Sequence, residues 1–212
     1  MSTTTPALRL WHLLIAASAF LGVTLAARQY DVWWTALSQH ASLAAGFCYL
    51  TLSAAAPATG RQARAWTWVR GALATLMVLV SLAFLAMQHG NLLDGYSIFE
   101  HIVTPTLVVI DFLAVGSAGL HLRWWHPLTW LIPPLAYLGY YVIGDLSVYQ
   151  ALDPAQPVAF TRHVLLLLAL VLAAGFGLYA AVGPAYSSTK NRLAGWSIRR
   201  YWWDGVDVGG GS

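Results

Sequence analysis

Cysteine is almost missing from this chain: Cys48 stands alone, which excludes an internal disulfide and any cysteine-built metal site. Charge is nearly as scarce. Only 9% of the 212 residues are charged and 58% are hydrophobic, whereas soluble domains carry about 25% and roughly 45–50%. So few charges cannot cover a water-facing surface, and the composition points to an integral membrane protein. The chain also lacks a glycine-rich phosphate loop, a GxSxG elbow, an HExxH helix, a CxxCH pair and any run with zinc spacing. No metal and no cofactor is expected. Internal repeats and low-complexity stretches are not evident. The net charge of +3 is spread over short loops between apolar runs, a topology signal rather than a nucleic-acid surface.

What remains is apolar and aromatic. Six runs are long enough, at about 20 residues, to cross a bilayer as helices: roughly 8–27, 33–57, 71–88, 99–120, 128–147 and 160–183. The expected fold is an all-α membrane bundle of six spans over residues 1–183. A cytoplasmic tail over 184–212 follows, and its final "GGGS" reads as a linker. "LAAR" closes the first span with small residues, but a single flanking Arg is weak support for a cleaved leader, so an uncleaved helix is expected. Eleven Trp and ten Tyr supply two interfacial belts. Arg9, Arg61, Arg64, Arg70, Arg123, Lys190, Arg192, Arg199 and Arg200 all flank the spans on the side that holds both termini. Only Arg28 and Arg162 fall opposite, so the positive-inside rule puts both termini in the cytoplasm.

Polar residues inside the spans carry the functional signal, because lipid tolerates them poorly. "WWTALSQH" sends Thr35, Ser38, Gln39 and Ser42 to one face of the second span at helical spacing. His40 points elsewhere and is expected to bond a neighbouring helix. The fourth span starts on the same side, which brings His101 of "FEHIVTPTLVVID" to nearly the level of Thr35. Tyr137, Tyr140, Tyr141 and Asp145 from the fifth span, and Arg162 and His163 from the sixth, reach the same layer. Asp111 does not. It lies ten residues beyond His101, about 15 Å deeper at ~1.5 Å per residue, too far for a Thr–His–Asp triad. It is expected to be neutral or hydrogen-bonded to a Tyr or Trp of another span. Pro105, one turn past His101, frees a carbonyl and offers a kink.

Each residue alone has a plainer reading. Thr and Ser in membrane helices commonly bond the carbonyl one turn back, and the tyrosines can be an interfacial belt. His12, His40 and His89 read as interhelical hydrogen bonds, and His121 and His126 as solvated loop residues. Two other functions compete with chemistry at the polar layer. One haem between His40 and His101 is conceivable. So is a small carrier built on Asp111 and Pro105, although no repeat relates the two halves.

The order "WTALSQ", "HIVTPTLVVID" and "PPLAYLGYY" resembles the six-span androgen-induced and androgen-dependent membrane proteins and their bacterial relatives. Matching positions are Trp34, Thr35 and Ser38, then His101, Pro105 and Asp111, then Pro134 and Tyr137, within residues 8–183. The resemblance implies a threonine hydrolase of fatty acid esters of hydroxy fatty acids, with Thr35 as nucleophile and His101 as the essential histidine. Support for the oxyanion or the substrate would come from Ser38, Gln39, Tyr137, Tyr141 or His163. Its substrate would be a membrane lipid ester, and its location the inner membrane of a bacterium. Gln39 departs from the family's usual Asn, and the loop "DLSVYQALDPAQPVAF" lacks the Tyr-Pro-rich pattern of bacterial relatives.

Overall fold

Thr5 and Pro6 start the first helix by two devices. The Thr5 hydroxyl accepts from the Leu8 N–H at 3.4 Å, and Pro6 occupies the first turn, where no N–H is needed. The structure, a computed structural model, describes residues 5–55, 59–87, 92–116 and 122–203. Helix α1 spans Pro6–Gln29, and a 3-10 turn over Trp33–Thr35 leads into α2, Leu37–Ala54. Helices α3, Gly60–Met87, α4, Gly95–Ile98, and α5, Thr104–Asp111, follow. Then come α6, His126–Thr129, and α7, Ile132–Ile143, a 3-10 turn over Gln150–Leu152, and α8, Pro157–Trp203. Among the described residues, all regular structure is helical.

Among the described residues, four stretches are long and apolar enough to cross a membrane: Pro6–Gln29, Gly60–Ala86, Gly95–Ala114 and Pro157–Val182. The other two expected spans take different forms. The 33–57 run opens with the 3-10 turn and yields an α-helix of 18 residues. The 128–147 run is broken by proline. Pro127 starts the one-turn α6, and Pro133 and Pro134 start α7 afresh, because proline has no N–H to give a preceding turn and is tolerated in the first turn of a helix. Helix α7 has only 12 residues, about 18 Å of rise against a hydrocarbon core of ~30 Å. Asp145, at a left-handed φ of 48°, lies just past its end. The expected boundary at residue 183 is no break, since α8 continues to Trp203. His89 and His121 lie outside the described residues. His126 is not simply solvated: its Nδ1 accepts from the Arg123 N–H at 3.3 Å. Burial and then the Arg123 charge hold this imidazole below its usual range.

Helices α4 and α5 are joined by a π turn over Phe99–Val103, and a second π turn over Phe112–Gly116 extends α5. Pro105 explains the first. It has no N–H to give the His101 carbonyl, and the Thr104 N–H reaches back to the Phe99 carbonyl instead. The widened turn buries two successive residues, Glu100 and His101. Gly22 makes room for it on α1, where a Cβ would come within 2.9 Å of Glu100 Cγ. One turn earlier on α1, Ser18 and Thr104 share a hydrogen bond of 2.8 Å. Helix α3 is the central post, with 61% of its apolar window buried, and α8 is peripheral, with 17%.

Asp111 has no solvent exposure. Arg70 grips it with a fork, Nε donating to Oδ2 and Nη2 to Oδ1, both at 2.8 Å. Tyr49 Oη donates to Oδ2 at 2.7 Å, and Trp11 Nε1 to Oδ1 at 3.0 Å. His12 Nε2 stands 2.9 Å from Arg70 Nη2 but 3.6 Å from the carboxylate, so its role is to accept from the guanidinium. The aromatic partners expected for Asp111 are therefore Tyr49 and Trp11. A neutral Asp111 does not fit the fork. Arg70 is a correction: it is not a surface flank but a buried cation, because α3 begins well before its apolar run and carries Arg70 into the bundle. Removing one member of a buried pair strands the other, at a cost of about 3–5 kcal/mol, whereas an apolar pair of similar size is often neutral. Arg70→Leu or Asp111→Leu alone should thus sharply lower the thermal midpoint of the detergent-solubilised protein. The double variant should recover most of the loss.

Candidate active site

At the other end of the bundle a cavity of about 900 Å³ opens among α2, α3, α7, α8 and the loop before Gln150–Leu152. Exposed Tyr30 and Asp31 mark its mouth, and Thr35, Ser38, Gln39, His101 and Tyr137 all line it. Thus five of the residues singled out in the sequence come to one space. Tyr141 and His163 do not line it. Tyr141 is fully buried, with its hydroxyl against the backbone of Tyr149. His163 bonds the Ala159 carbonyl on its own helix and faces a separate small pocket beside Ala86 and Ala151. Pro105 and Asp111 lie in the interior away from the cavity. His40 also stays outside it. The His40 Nδ1 pairs with the Ala36 carbonyl of its own turn at 3.0 Å rather than with another helix, while its ring meets Tyr137 and Tyr140.

Thr35 belongs to the 3-10 turn, half-buried, one residue before the α2 cap. Its hydroxyl donates to the Val32 carbonyl at 2.9 Å. Two tyrosines brace this turn. Tyr137 Oη donates to the Thr35 carbonyl at 2.8 Å, and the Leu37 N–H donates to Tyr149 Oη at 2.9 Å. Two phenols therefore hold the backbone on either side of Ala36, one at the Thr35 carbonyl and one at the Leu37 N–H. Burial pushes the Tyr149 phenol above its ordinary range, which keeps it protonated.

His101 is 6% exposed. Its ring stacks flat on Phe84, with centroids 3.7 Å apart and planes 5° from parallel. Its Nδ1 is buried and has no partner among the described residues. Beside it, Glu100 accepts from Gln39 Nε2 at 2.9 Å and also interacts with Ser38. Glu100, Tyr149 and Phe84 were not singled out in the sequence. Glu100 resembles an acidic flank there, Tyr149 lies in a loop without periodicity, and Phe84 is one apolar residue among many. The one available signal was the adjacency of Glu100 to His101 in "FEHIV".

Two of the side chains expected to stabilise an oxyanion already have acceptors: Gln39 in Glu100 and Tyr137 in the Thr35 carbonyl. Backbone donors are the better candidates. The first N–H groups of a helix lack intrahelical partners, and those of Ser38 and Gln39 stand in the first turn of α2 at the cavity wall. Among the described residues no group of three or more His, Cys, Asp or Glu is close enough to hold a metal ion. Compared with known protein families, curated proteins and solved structures, the chain matches none.

The tyrosine brace is open to test. Tyr149→Phe removes the acceptor of the Leu37 N–H and should cost about 1–3 kcal/mol locally. Hydrogen exchange of the 36–40 segment should then accelerate by about tenfold or more, while exchange around Asp111 stays unchanged.

Proposed function

We propose that the protein is an intramembrane hydrolase that cuts carboxylic esters of acyl lipids, with Thr35 as nucleophile and His101 as general base. The observation behind this is that Thr35 and His101, from separate elements, line one cavity with apolar walls. A threonine hydroxyl is a weak nucleophile until an adjacent base takes its proton. The buried, unpartnered Nδ1 of His101 supplies a free lone pair for that task. To react, the Thr35 hydroxyl leaves the Val32 carbonyl, a hydrogen bond worth about 0.5–1.5 kcal/mol. Its oxygen attacks the ester carbonyl as the proton passes to His101. The imidazolium then protonates the departing alcohol, leaving an acyl-threonine. Water from the mouth, deprotonated by the same imidazole, releases the acid.

The same reading takes α2 and the α6–α7 pair as two further passes, giving six, with both termini cytoplasmic in a bacterial inner membrane. The roughly 12 Å by which α7 falls short of a ~30 Å core would be met by its flanking segments or by local thinning. A carrier acting through Asp111 is disfavoured, because four hydrogen bonds already occupy that carboxylate.

Three outcomes are expected. A fluorophosphonate probe should label the wild-type protein and Ser38→Ala but not Thr35→Ala; labelling lost only with Ser38 would move the nucleophile there. His101→Ala should lower ester turnover in detergent by about 100-fold or more, and an unchanged rate removes it as the base. A C-terminal fluorescent-protein fusion should glow and an alkaline phosphatase fusion stay inactive; the reverse pattern turns the bundle over.

A further inference from the structure

The cavity is one-sided in charge. Among the described residues its lining includes no Lys and no Arg. Arg28 is exposed outside it, and Arg162 lines a separate shallow groove. Acids, by contrast, are present: Asp31 lines the mouth, and Glu100 lies directly behind Gln39. A carboxylate drawn into such a space would lose its water, meet no cation and face like charge, each of which opposes its entry.

Buried, unpartnered polar atoms of two lining residues point to another head group. Gln39 is 4% exposed, and its Oε1 is buried without a partner among the described residues. Glu100 holds the amide nitrogen of Gln39, so the amide has an acceptor to offer and no free orientation. His101 Nδ1 is the second open atom. Both residues line the cavity, and buried polar atoms are rarely left unmatched. An acceptor such as Gln39 Oε1 calls for a donor, which a hydroxyl supplies and a carboxylate does not. The remaining wall is aliphatic and aromatic, with Leu79, Val80, Phe84, Leu138, Leu167 and Val171 suited to an acyl chain. A volume near 900 Å³ lies within the range of about 300–1,000 Å³ usual for small-molecule sites.

We infer that the cavity selects acyl lipids with an uncharged, hydroxyl-bearing head, such as a glycerol monoester, and excludes free fatty-acid anions. This names a substrate class for the hydrolase proposed above and rests on that reading for turnover, though not for binding. Glu100 is then a positioning residue: it sets the Gln39 amide and never touches the lipid.

The test is equilibrium binding to the full chain in nanodiscs at about pH 9, well above the carboxylate range. The probes are hexadecyl glycerol ether, which cannot be hydrolysed, and palmitate. The ether should bind about tenfold or more tighter than palmitate. Gln39→Leu should weaken the ether by about tenfold, as loss of one buried hydrogen bond does, and leave palmitate unchanged. Palmitate binding as tightly as the ether, or binding of neither, overturns the inference. Should Gln39→Leu fail to fold, the wild-type comparison decides alone. The two readings can fail separately. Ether preference without any ester turnover removes the hydrolase and keeps the site; turnover confined to anionic esters does the opposite.

Discussion

A single carboxylate ties most of this bundle together. Asp111 of α5 receives hydrogen bonds from Trp11 of α1, Tyr49 of α2 and Arg70 of α3. Where no water can reach, an unmatched carboxylate or guanidinium is far too costly to leave bare. Those four helices must therefore adopt the heights and rotations at which every donor finds its oxygen. The net energy of the cluster is modest by comparison, because buried ion pairs often only break even against apolar packing. Its larger effect is on register. Rotating α1 to lose Trp11 also separates His12 from Arg70, so one misplacement breaks two contacts.

From that anchor the placement of the cavity residues follows by short steps. Helix α5 leads back to the π turn that Pro105 creates, which turns Glu100 and His101 inward together. Helix α1 meets this turn at Gly22, where only a hydrogen fits, and is fastened to it again by Ser18 and Thr104. With His101 fixed against Phe84, the facing wall depends on the 3-10 turn of Thr35, which has no helical ladder of its own. The Tyr137 and Tyr149 hydroxyls supply what the ladder lacks. The turn that carries Thr35 is thus held by two side chains with few rotatable bonds.

Much of this was readable from residue order, and the failures share a cause. The one-face spacing of Thr35, Ser38 and Gln39, and the matched level of His101, led to residues that do line one space. Arg70 reads as a flank because hydropathy locates the apolar middle of a helix, not its ends. Helix α3 begins at Gly60, so this charge is inside a helix and points inward. Tyr141 and His163 point elsewhere and do not line the cavity. On α8 the lining residues Val164, Leu167, Leu168 and Val171 follow helical spacing, and His163 falls one position off that stripe. The broken fifth span was visible in Pro127, Pro133 and Pro134, whose effect composition counting hides. Tyr149 offered nothing, since an irregular loop has no period to read.

The two polar layers differ in a way that bears on every buried polar residue in a membrane protein. Around Asp111 each carboxylate oxygen has its donors, while His12 Nδ1 and Trp130 Nε1, whose ring packs on Gly71 and Phe112, lack partners among the described residues. Around Gln39 and Glu100 the opposite holds: Gln39 Oε1, Ser42 Oγ, Ser97 Oγ, Glu100 Oε1 and His101 Nδ1 all lack partners among the described residues. Selection for stability alone would close both layers, since each open atom costs about 1–3 kcal/mol. A saturated cluster has nothing left with which to hold a ligand, however charged it is. An unsaturated one keeps hydrogen-bonding capacity that only a guest or ordered water can use. Charge and burial therefore draw attention to Asp111, but unspent donors and acceptors direct it to Gln39 and His101.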